Sequence, residues 1–353
     1  MDPSTKTTDR LQRLGNNYRE SIVNPREGEL RFGQTVQLAD GDAPLNELLA
    51  ASNCDVVVLG INEDIGVRAN FGRAGTAEAF EQSLPHLFAL QHNRYLPGEK
   101  VLVLGQINFN DLDGLSRHFT PSFPDDMMQL RKMVEHIDRD VYAIAKTVFD
   151  AGKKLVVIGG GHNNAYPIIK ALADSHGRAA SVINFDPHAD LRNAEGRHSG
   201  NGFTYALNNE SLGHYHIFGM AESANNEHIL DRIETNNRVS ATCMERILDE
   251  GLHRMNDLLN DALDAFPKNH PEGIEIDMDV LTHFPASAVN SSGFTGNQLR
   301  SLVRAAFAKM NPTYVHLCEA APSLSNSKAG KSQAANFLAR LTGDVIKKLI
   351  ETS

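Results

Sequence analysis

Short apolar runs rich in β-branched residues alternate with stretches of helical periodicity along most of the chain. This alternation is typical of parallel βαβ units, because consecutive parallel strands need a crossover that a helix usually supplies. The pattern predicts strands at 55–59, 101–104, 155–158, 181–185, 215–218, 273–276 and 314–317. It predicts helices at 127–149, 164–173, 244–266, 296–310 and 334–350. We therefore expect an α/β protein with a doubly wound parallel sheet.

The chain of 353 residues contains no composition break, low-complexity linker or internal repeat that would divide it. Residues 1–53 are more polar and irregular than the remainder. We expect this segment to be an N-terminal extension that packs on one main domain, residues 54–353.

Charge and cysteine content restrict the kinds of partner and compartment. With 34 basic and 44 acidic side chains the net charge is −10, which disfavours nucleic acid and anionic membranes as partners. The cysteines Cys54, Cys243 and Cys318 are odd in number and lack CxxC spacing, so we expect no disulfide framework. We therefore expect the protein to reside in a reducing cytoplasm. The first residues lack the apolar core of a signal peptide, and no apolar stretch approaches the roughly 20 residues of a membrane helix. We expect a soluble protein.

Acidic side chains and histidines follow three of the predicted strands at the point where each strand ends. They are Gly-Gly-Gly-His162, Asp186-x-His188-x-Asp190 and Asp277-x-Asp279. Ligands of open parallel sheets bind beyond the carboxyl ends of the strands, so we expect these side chains to meet. If the extended backbone continues past the strand, Asp186, His188 and Asp190 project to the same side.

Each motif alone has an ordinary explanation. A single Asp-x-Asp is more often a turn or a helix cap, and a lone histidine is more often part of the core or surface. The combination is different, because the four aspartates together carry a charge of −4 that two divalent cations would neutralise. Oxygen-rich ligation with some imidazole and no thiolate favours manganese, with magnesium and iron as alternatives, over a structural zinc site. Two such ions would generate a hydroxide nucleophile from shared water. The motifs therefore predict metal-assisted hydrolysis.

The order of these motifs, followed by Glu319 after the last strand, resembles that of the arginase/agmatinase/formimidoylglutamase family of ureohydrolases. The similarity begins at the loop 59–75 and spans most of the chain. It implies a three-layer α/β/α fold with a mainly parallel eight-stranded sheet, assembled as trimers or hexamers. It also implies two Mn²⁺ per subunit, one held by His162, Asp186, Asp190 and Asp277 and the other by Asp186, His188, Asp277 and Asp279. By the same resemblance, Asp190 orients the bridging hydroxide and Glu319 pairs with the amidinium-like group of the substrate.

The branch of the family is indicated by segment 199–203, where Phe203 occupies the place of the histidine that shuttles protons in arginases. Formimidoylglutamases also lack that histidine, and segments 66–75, 159–166 and 185–192 resemble theirs. The resemblance therefore implies hydrolysis of N-formimidoyl-L-glutamate to L-glutamate and formamide, a step of histidine degradation. His198 is a candidate replacement for the proton shuttle, the alternative being an ordinary solvent-facing histidine.

A substrate with two carboxylates needs cationic or amide donors, and a guanidinium matches a carboxylate well. Arg192 is the leading candidate because it occupies the place where arginase uses an asparagine near the substrate carboxylate. The further candidates are Arg68, Asn70, Arg73, Ser199 and Asn201. Arg68 and Arg73 could instead be structural, paired with acidic neighbours.

Three other functions remain open from the sequence. The first is a guanidino-compound hydrolase of the same family that releases urea, and the second is a relative without catalytic activity. The third is a mononuclear zinc deacetylase of related fold, which would leave His162 and Asp279 without a role.

Overall fold

Strands from the whole chain form one sheet in the computed structural model, which describes residues 10–352. Ten strands belong to this sheet within that range: β1 (Leu11–Arg13), β2 (Gln37–Leu38), β3 (Val56–Asn62), β4 (Val101–Asn108), β5 (Lys154–Ile158), β6 (Ala180–Phe185), β7 (Leu212–Met220), β8 (Val239–Cys243), β9 (Glu272–Asp277) and β10 (Tyr314–Cys318). Their order is β1-β4-β3-β5-β10-β9-β6-β7-β8, and β2 also pairs with β4. Eight neighbouring strands of this order are all parallel, as predicted: β4-β3-β5-β10-β9-β6-β7-β8.

Helices cover both faces of the sheet. In chain order they are α1 (Asn16–Ile22), α2 (Phe32–Thr35), α3 (Leu45–Ala51), α4 (Ile65–Arg68), α5 (Ala79–Phe88), α6 (Asn110–Ser116), α7 (Pro124–Asp150), α8 (Ala165–His176), α9 (Gly202–Asn208), α10 (Glu227–Thr235), α11 (Met244–Glu250), α12 (Met255–Asp264), α13 (Gly296–Lys309) and α14 (Lys328–Glu351). Val57 of β3 packs in one core with Val141 of α7, whereas its neighbour Val58 packs in a second core with Leu338 of α14. Because successive strand residues point to opposite faces, this alternation confirms the three-layer α/β/α fold.

The predicted helices include the longest ones, and the sequence pattern misses the shorter helices α1–α6, α9 and α10. The predicted helix 244–266 is wrong as a single helix, because Gly251 has a φ of 92° and separates α11 from α12. Strand β8 was not predicted, since it lies at the sheet edge and buries little more than Val239 and Thr242.

Two short strands add to the eight that were expected, and both come from the predicted N-terminal extension. Strand β1 pairs antiparallel with β4 at the sheet edge, and β2 pairs parallel with β4. Leu11 and Leu45 of this segment lie in the core formed with α7. The first nine residues of the segment lie outside the described range. Over residues 10–352, no helix combines the length and apolar character needed to cross a membrane.

Candidate metal centre

The predicted metal ligands lie at the carboxyl ends of four strands that are neighbours in the sheet, in the order β5-β10-β9-β6. His162 follows β5 in a short 3₁₀ helix, and the segment 186–190 follows β6. Asp277 is the last residue of β9 and Asp279 lies in the turn after it. Glu319 follows β10 directly. The sheet therefore brings all of these side chains to one edge, as the sequence predicted.

His162 is the centre of a first group of potential ligands. Its Nδ1 atom lies 3.2 Å from Oδ2 of Asp186, 3.0 Å from Oδ2 of Asp190 and 3.4 Å from Oδ2 of Asp277. The ligand atoms of these four residues all lie within 4.8 Å of one another. One divalent cation could contact all of them at once.

His188 is the centre of a second group, which shares Asp186 with the first. Its Nδ1 atom lies 3.4 Å from Oδ1 of Asp186 and 3.3 Å from Oδ2 of Asp279. Asp186 thus presents one carboxylate oxygen to each group, as a bridging ligand would. Asp277 belongs only to the first group in this geometry. Its Oδ1 accepts a hydrogen bond of 2.9 Å from the backbone N–H of Asp279.

The backbone reaches this arrangement by a turn rather than by continued extension. Strand β6 ends at Phe185, and Asp190 has a φ of 50°. The condition that the extended backbone continues past the strand is therefore not met, and the side chains meet through the turn instead. Glu319 also has a positive φ, of 60°. Non-glycine residues in this region are costly and concentrate at functional sites, where the surrounding contacts hold them in place.

Burial and mutual repulsion destabilise the ionised carboxylates of this cluster unless positive charge compensates them. Burial, together with the charges of Asp279 and Asp186, raises the pKa of Asp277 well above its usual value. Burial raises the pKa of Glu319 to about 8. The pKa of His162 is also raised well above its usual value, because Cys318 and the neighbouring aspartates outweigh the opposing effect of burial. Each shift retains a proton, and a bound cation would replace those protons.

Several buried polar atoms at this edge of the sheet have no hydrogen-bond partner among the described residues. They are Nδ1 of His162, Oδ1 of Asp279 and Oε2 of Glu319. Such orphaned atoms are rare in buried positions, and one established reason for them is that they serve as ligands of a bound ion. The donor set therefore fits a pair of divalent cations held by oxygen and imidazole ligands.

A further carboxylate, that of Glu275, faces the other ring nitrogen of His162, and it was not identified from the sequence. Oε2 of Glu275 lies 3.5 Å from Nε2 of His162 and 2.7 Å from Nδ1 of His316. Its Oε1 accepts a hydrogen bond of 2.8 Å from the hydroxyl of Tyr314. A carboxylate behind a metal-binding histidine fixes the tautomer of the ring. The signal was present, because Glu275 stands two positions before Asp277 and so faces the same side of β9.

A cleft of about 640 Å³ opens onto the two groups of ligands. Among its lining residues are Arg192, Ser199 and Asn70, three of the predicted substrate-binding residues. Arg192 is exposed, and within the described part of the chain its guanidinium makes no hydrogen bond or ion pair. A cation in this position is available to an anionic ligand.

The other predicted substrate-binding residues are engaged elsewhere. Arg68 does not line the cleft and pairs instead with Asp64 and Asp113. Arg73 lines the cleft, but its guanidinium donates to backbone carbonyls of the segment 286–288. The side chain of Asn201 is buried and bonded to Arg197, away from the cleft lining. For Arg68 and Arg73 the structure thus favours the structural alternative.

Arg197 is a buried cation that sequence reasoning did not single out. Its Nε donates to Oδ2 of Asp138 over 2.7 Å, and its Nη2 donates to the carbonyl of Asn163 over 2.8 Å. The guanidinium lies 4.8 Å from the ring of Tyr166 and 4.7 Å from that of Tyr205. Arg197 thereby ties α7 to the residue that follows His162.

The predicted proton carrier His198 does not reach the cleft. It is fully buried, so the alternative of a solvent-facing histidine is wrong. Its Nδ1 accepts a hydrogen bond of 3.2 Å from the backbone N–H of Gly200. Burial and the nearby arginines lower the pKa of His198 to about 3, which keeps the ring neutral. This geometry gives His198 a role in holding its loop.

Known proteins resemble this chain over most of its length. The model of the arginase family matches residues 54–343. The formimidoylglutamase of Macrococcus caseolyticus is 26% identical over 310 residues, which cover 82% of this chain and 87% of that protein. A structure of formiminoglutamase from Trypanosoma cruzi with Mn²⁺ superposes with a TM-score of 0.64 at 20% identity, covering 86% of this chain and 98% of that one. The formimidoylglutamase of Bacillus subtilis superposes with a TM-score of 0.68 at 18% identity, covering 91% and 94%. The chain therefore belongs to the arginase family.

Proposed function

We propose that the chain is a binuclear metal hydrolase that converts N-formimidoyl-L-glutamate to L-glutamate and formamide in histidine degradation. The observation that carries this proposal is the pair of ligand groups that share Asp186 and face one cleft. The formimidoylglutamase of Macrococcus caseolyticus, similar over most of both chains, supports the choice of substrate.

We further propose two Mn²⁺ per subunit as the metals, since the related Trypanosoma cruzi structure contains Mn²⁺. His162, Asp186, Asp190 and Asp277 would hold one ion, and Asp186, His188 and Asp279 the other. When bound, two such ions supply a hydroxide nucleophile near neutral pH. The mononuclear zinc alternative is disfavoured, because His162 and Asp279 each belong to a ligand group.

The protein side chains act on the amidine and on the attacking solvent molecule. Asp190 orients the solvent molecule, and the unpartnered Oε2 of Glu319 accepts a hydrogen bond from an amidinium N–H. A C–O bond forms at the amidine carbon, the C–N bond to glutamate breaks, and the leaving amine takes up a proton. Arg192, with Asn70 and Ser199 beside it, binds a substrate carboxylate.

Product identification tests this proposal. Purified, manganese-loaded protein is incubated separately with N-formimidoyl-L-glutamate, L-arginine and agmatine, and the products are identified by NMR. We expect formamide and glutamate from the first compound. Urea from a guanidino compound alone would replace the proposal with a guanidino hydrolase. Failure to turn over any of them with two metals bound would indicate a relative without catalytic activity on these compounds.

The matched control is the Glu319→Gln variant, which is nearly isosteric and lies outside both ligand groups. We expect it to retain two metals and lose turnover. A variant that lost its metals instead would place Glu319 among the ligands.

We also propose the wider organisation that the sequence predicted. Residues 54–353 form the catalytic domain and residues 1–53 an N-terminal extension, whose described part, residues 10–53, packs on the domain through the pairing of β1 and β2 with β4. The family resemblance supports a homo-oligomer, trimeric or hexameric. Free thiols at Cys54, Cys243 and Cys318 support a cytoplasmic location.

A further inference from the structure

The turn that carries His188 contains few groups that can form hydrogen bonds within the turn itself. Pro187 has no backbone N–H, and neither Pro187 nor Ala189 has a polar side chain. The imidazole of His188 is 36% exposed, whereas that of His162 is fully buried. Within the turn, the backbone N–H of His188 donates to Oδ1 of Asp186 over 2.6 Å. The other hydrogen bonds that orient the turn come from other parts of the chain.

Asn225 makes such contacts on both sides of His188. Its Nδ2 donates to the carbonyl of Pro187 over 3.0 Å, and its Oδ1 accepts from the N–H of Ala189 over 2.9 Å. A second bond from Nδ2, of 2.8 Å, reaches the carbonyl of Ala221, which directly follows β7. Both amide protons and the amide oxygen are thus used, and they join the His188 turn to the end of β7, the strand next to β6 in the sheet.

The remaining contacts hold the turn at other points. The N–H of Ala221 donates to the carbonyl of Pro187 over 2.9 Å, and the hydroxyl of Tyr215 donates to the carbonyl of Ala189 over 3.0 Å. Among the described residues, only the amide of Asn225 bonds to both neighbours of His188. Loss of that amide would remove the only described side chain that joins the two sides of the turn, and it would leave the N–H of Ala189 without its partner.

We propose that Asn225 is a positioning residue that orients His188 toward Asp186 and Asp279 and so sets the affinity of the second metal position. The inference rests on the proposed metal hydrolase, but it concerns metal binding rather than the substrate. Partners that orient a metal ligand without touching the metal commonly change metal affinity ten- to hundredfold. The first group does not include His188, so its affinity should not depend on Asn225.

The neighbouring Asn226 offers a matched control. It also lines the cleft, but its Oδ1 accepts from the N–H of Ile229 and caps α10. An aspartate keeps this capping function. Asn226→Asp and Asn225→Asp therefore add the same charge near the cleft, and only the second removes the side-chain N–H groups that donate to the carbonyls of Pro187 and Ala221.

The test is Mn²⁺ titration of metal-free protein by calorimetry, with bound metal counted by elemental analysis. We expect Asn225→Asp and Asn225→Ala to weaken the second Mn²⁺ ten- to hundredfold and to leave the first unchanged. Asn226→Asp should bind both ions as the wild type does. Circular dichroism and thermal melting confirm that each variant is folded, which is expected because Asn225 is only partly buried.

The result distinguishes positioning from general damage. Wild-type affinity for both ions in the two Asn225 variants would overturn the proposal, as would an equal loss in Asn226→Asp. Equal weakening of both ions would also overturn it, because the effect would not be confined to His188. Since no substrate is used, a wrong assignment of the reaction leaves this result unaffected.

Discussion

Removal of Arg197 should destabilise the protein strongly, because it leaves the buried carboxylate of Asp138 without its cation. Asp138 is 8% exposed and Arg197 is 2% exposed. Burial raises the pKa of Asp138 even with Arg197 beside it, so desolvation already outweighs the pairing. Loss of one partner of a buried pair costs about 3–5 kcal/mol. Arg197→Met would also leave the carbonyl of Asn163 and Oδ1 of Asn201 without this donor.

The expected shift in melting temperature follows from the size of the chain. An unfolding entropy of about 2.1 cal/mol/K per residue, over 353 residues, converts about 4 kcal/mol into a fall of about 5 °C. The measurement is thermal unfolding of Arg197→Met, Asp138→Asn and the double variant under identical metal conditions. The double variant removes both charges, so it should be more stable than the sum of the single losses predicts, by about 2 kcal/mol or more.

Additive losses in this cycle would refute the argument, because they would show that the two charges do not interact. A single variant as stable as the wild type would refute the claim that the pair is desolvated. Arg197→Lys is the further control, since it keeps the charge but cannot reproduce the fork of hydrogen bonds.

Four further results are expected. Phe71 is 70% exposed and has a φ of 62°. Phe71→Gly should relieve about 1 kcal/mol of backbone strain and raise the Tm by about 1 °C, whereas Phe71→Ala should give no such increase. Burial lowers the pKa of His216 to about 4, so between pH 6.5 and 4 the unfolded chain binds a proton that the folded chain does not, and stability falls with falling pH by about 1.4 kcal/mol per unit. Denaturant titrations of the wild type and of His216→Gln check that assignment, because the variant should lose the contribution of His216 to the slope and keep that of His198. Asp277→Asn should lower the metal content measured by elemental analysis, and full occupancy would contradict its place in the first group. Arg192→Ala should raise KM for the dicarboxylate more than it lowers kcat, whereas a pure loss of kcat would remove Arg192 from substrate binding.

Local patterns were sufficient for most of the fold. The seven predicted strands are present because each is an apolar run buried on both faces, which is how central parallel strands appear in a sequence. The edge strand β8 lacks that signature, and its polar residues hide it. Gly251 stands inside a region of otherwise continuous helical periodicity, so the break between α11 and α12 depends on a backbone angle that periodicity does not reveal.

The candidate ligands were predictable for a related reason. His162, Asp186 and Asp277 stand at or just after strand ends, and the carboxyl ends of parallel strands lie along one edge. Supporting residues such as Arg197 and Asn225 carry no such mark. They act through hydrogen bonds to residues in other elements, and their identity in the sequence is that of ordinary polar side chains.

By itself, the sequence determined the fold class, the position of the ligands at strand ends and the excess of negative charge that calls for cations. The tertiary structure decided the rest, because strand order is set by packing between distant segments rather than by local pattern. Strand β10, late in the chain, lies between β5 and β9, and this places Glu319 against His162 and His316 against Glu275. Tertiary packing also leaves Arg192 exposed at the cleft and buries Arg197 beside Asp138.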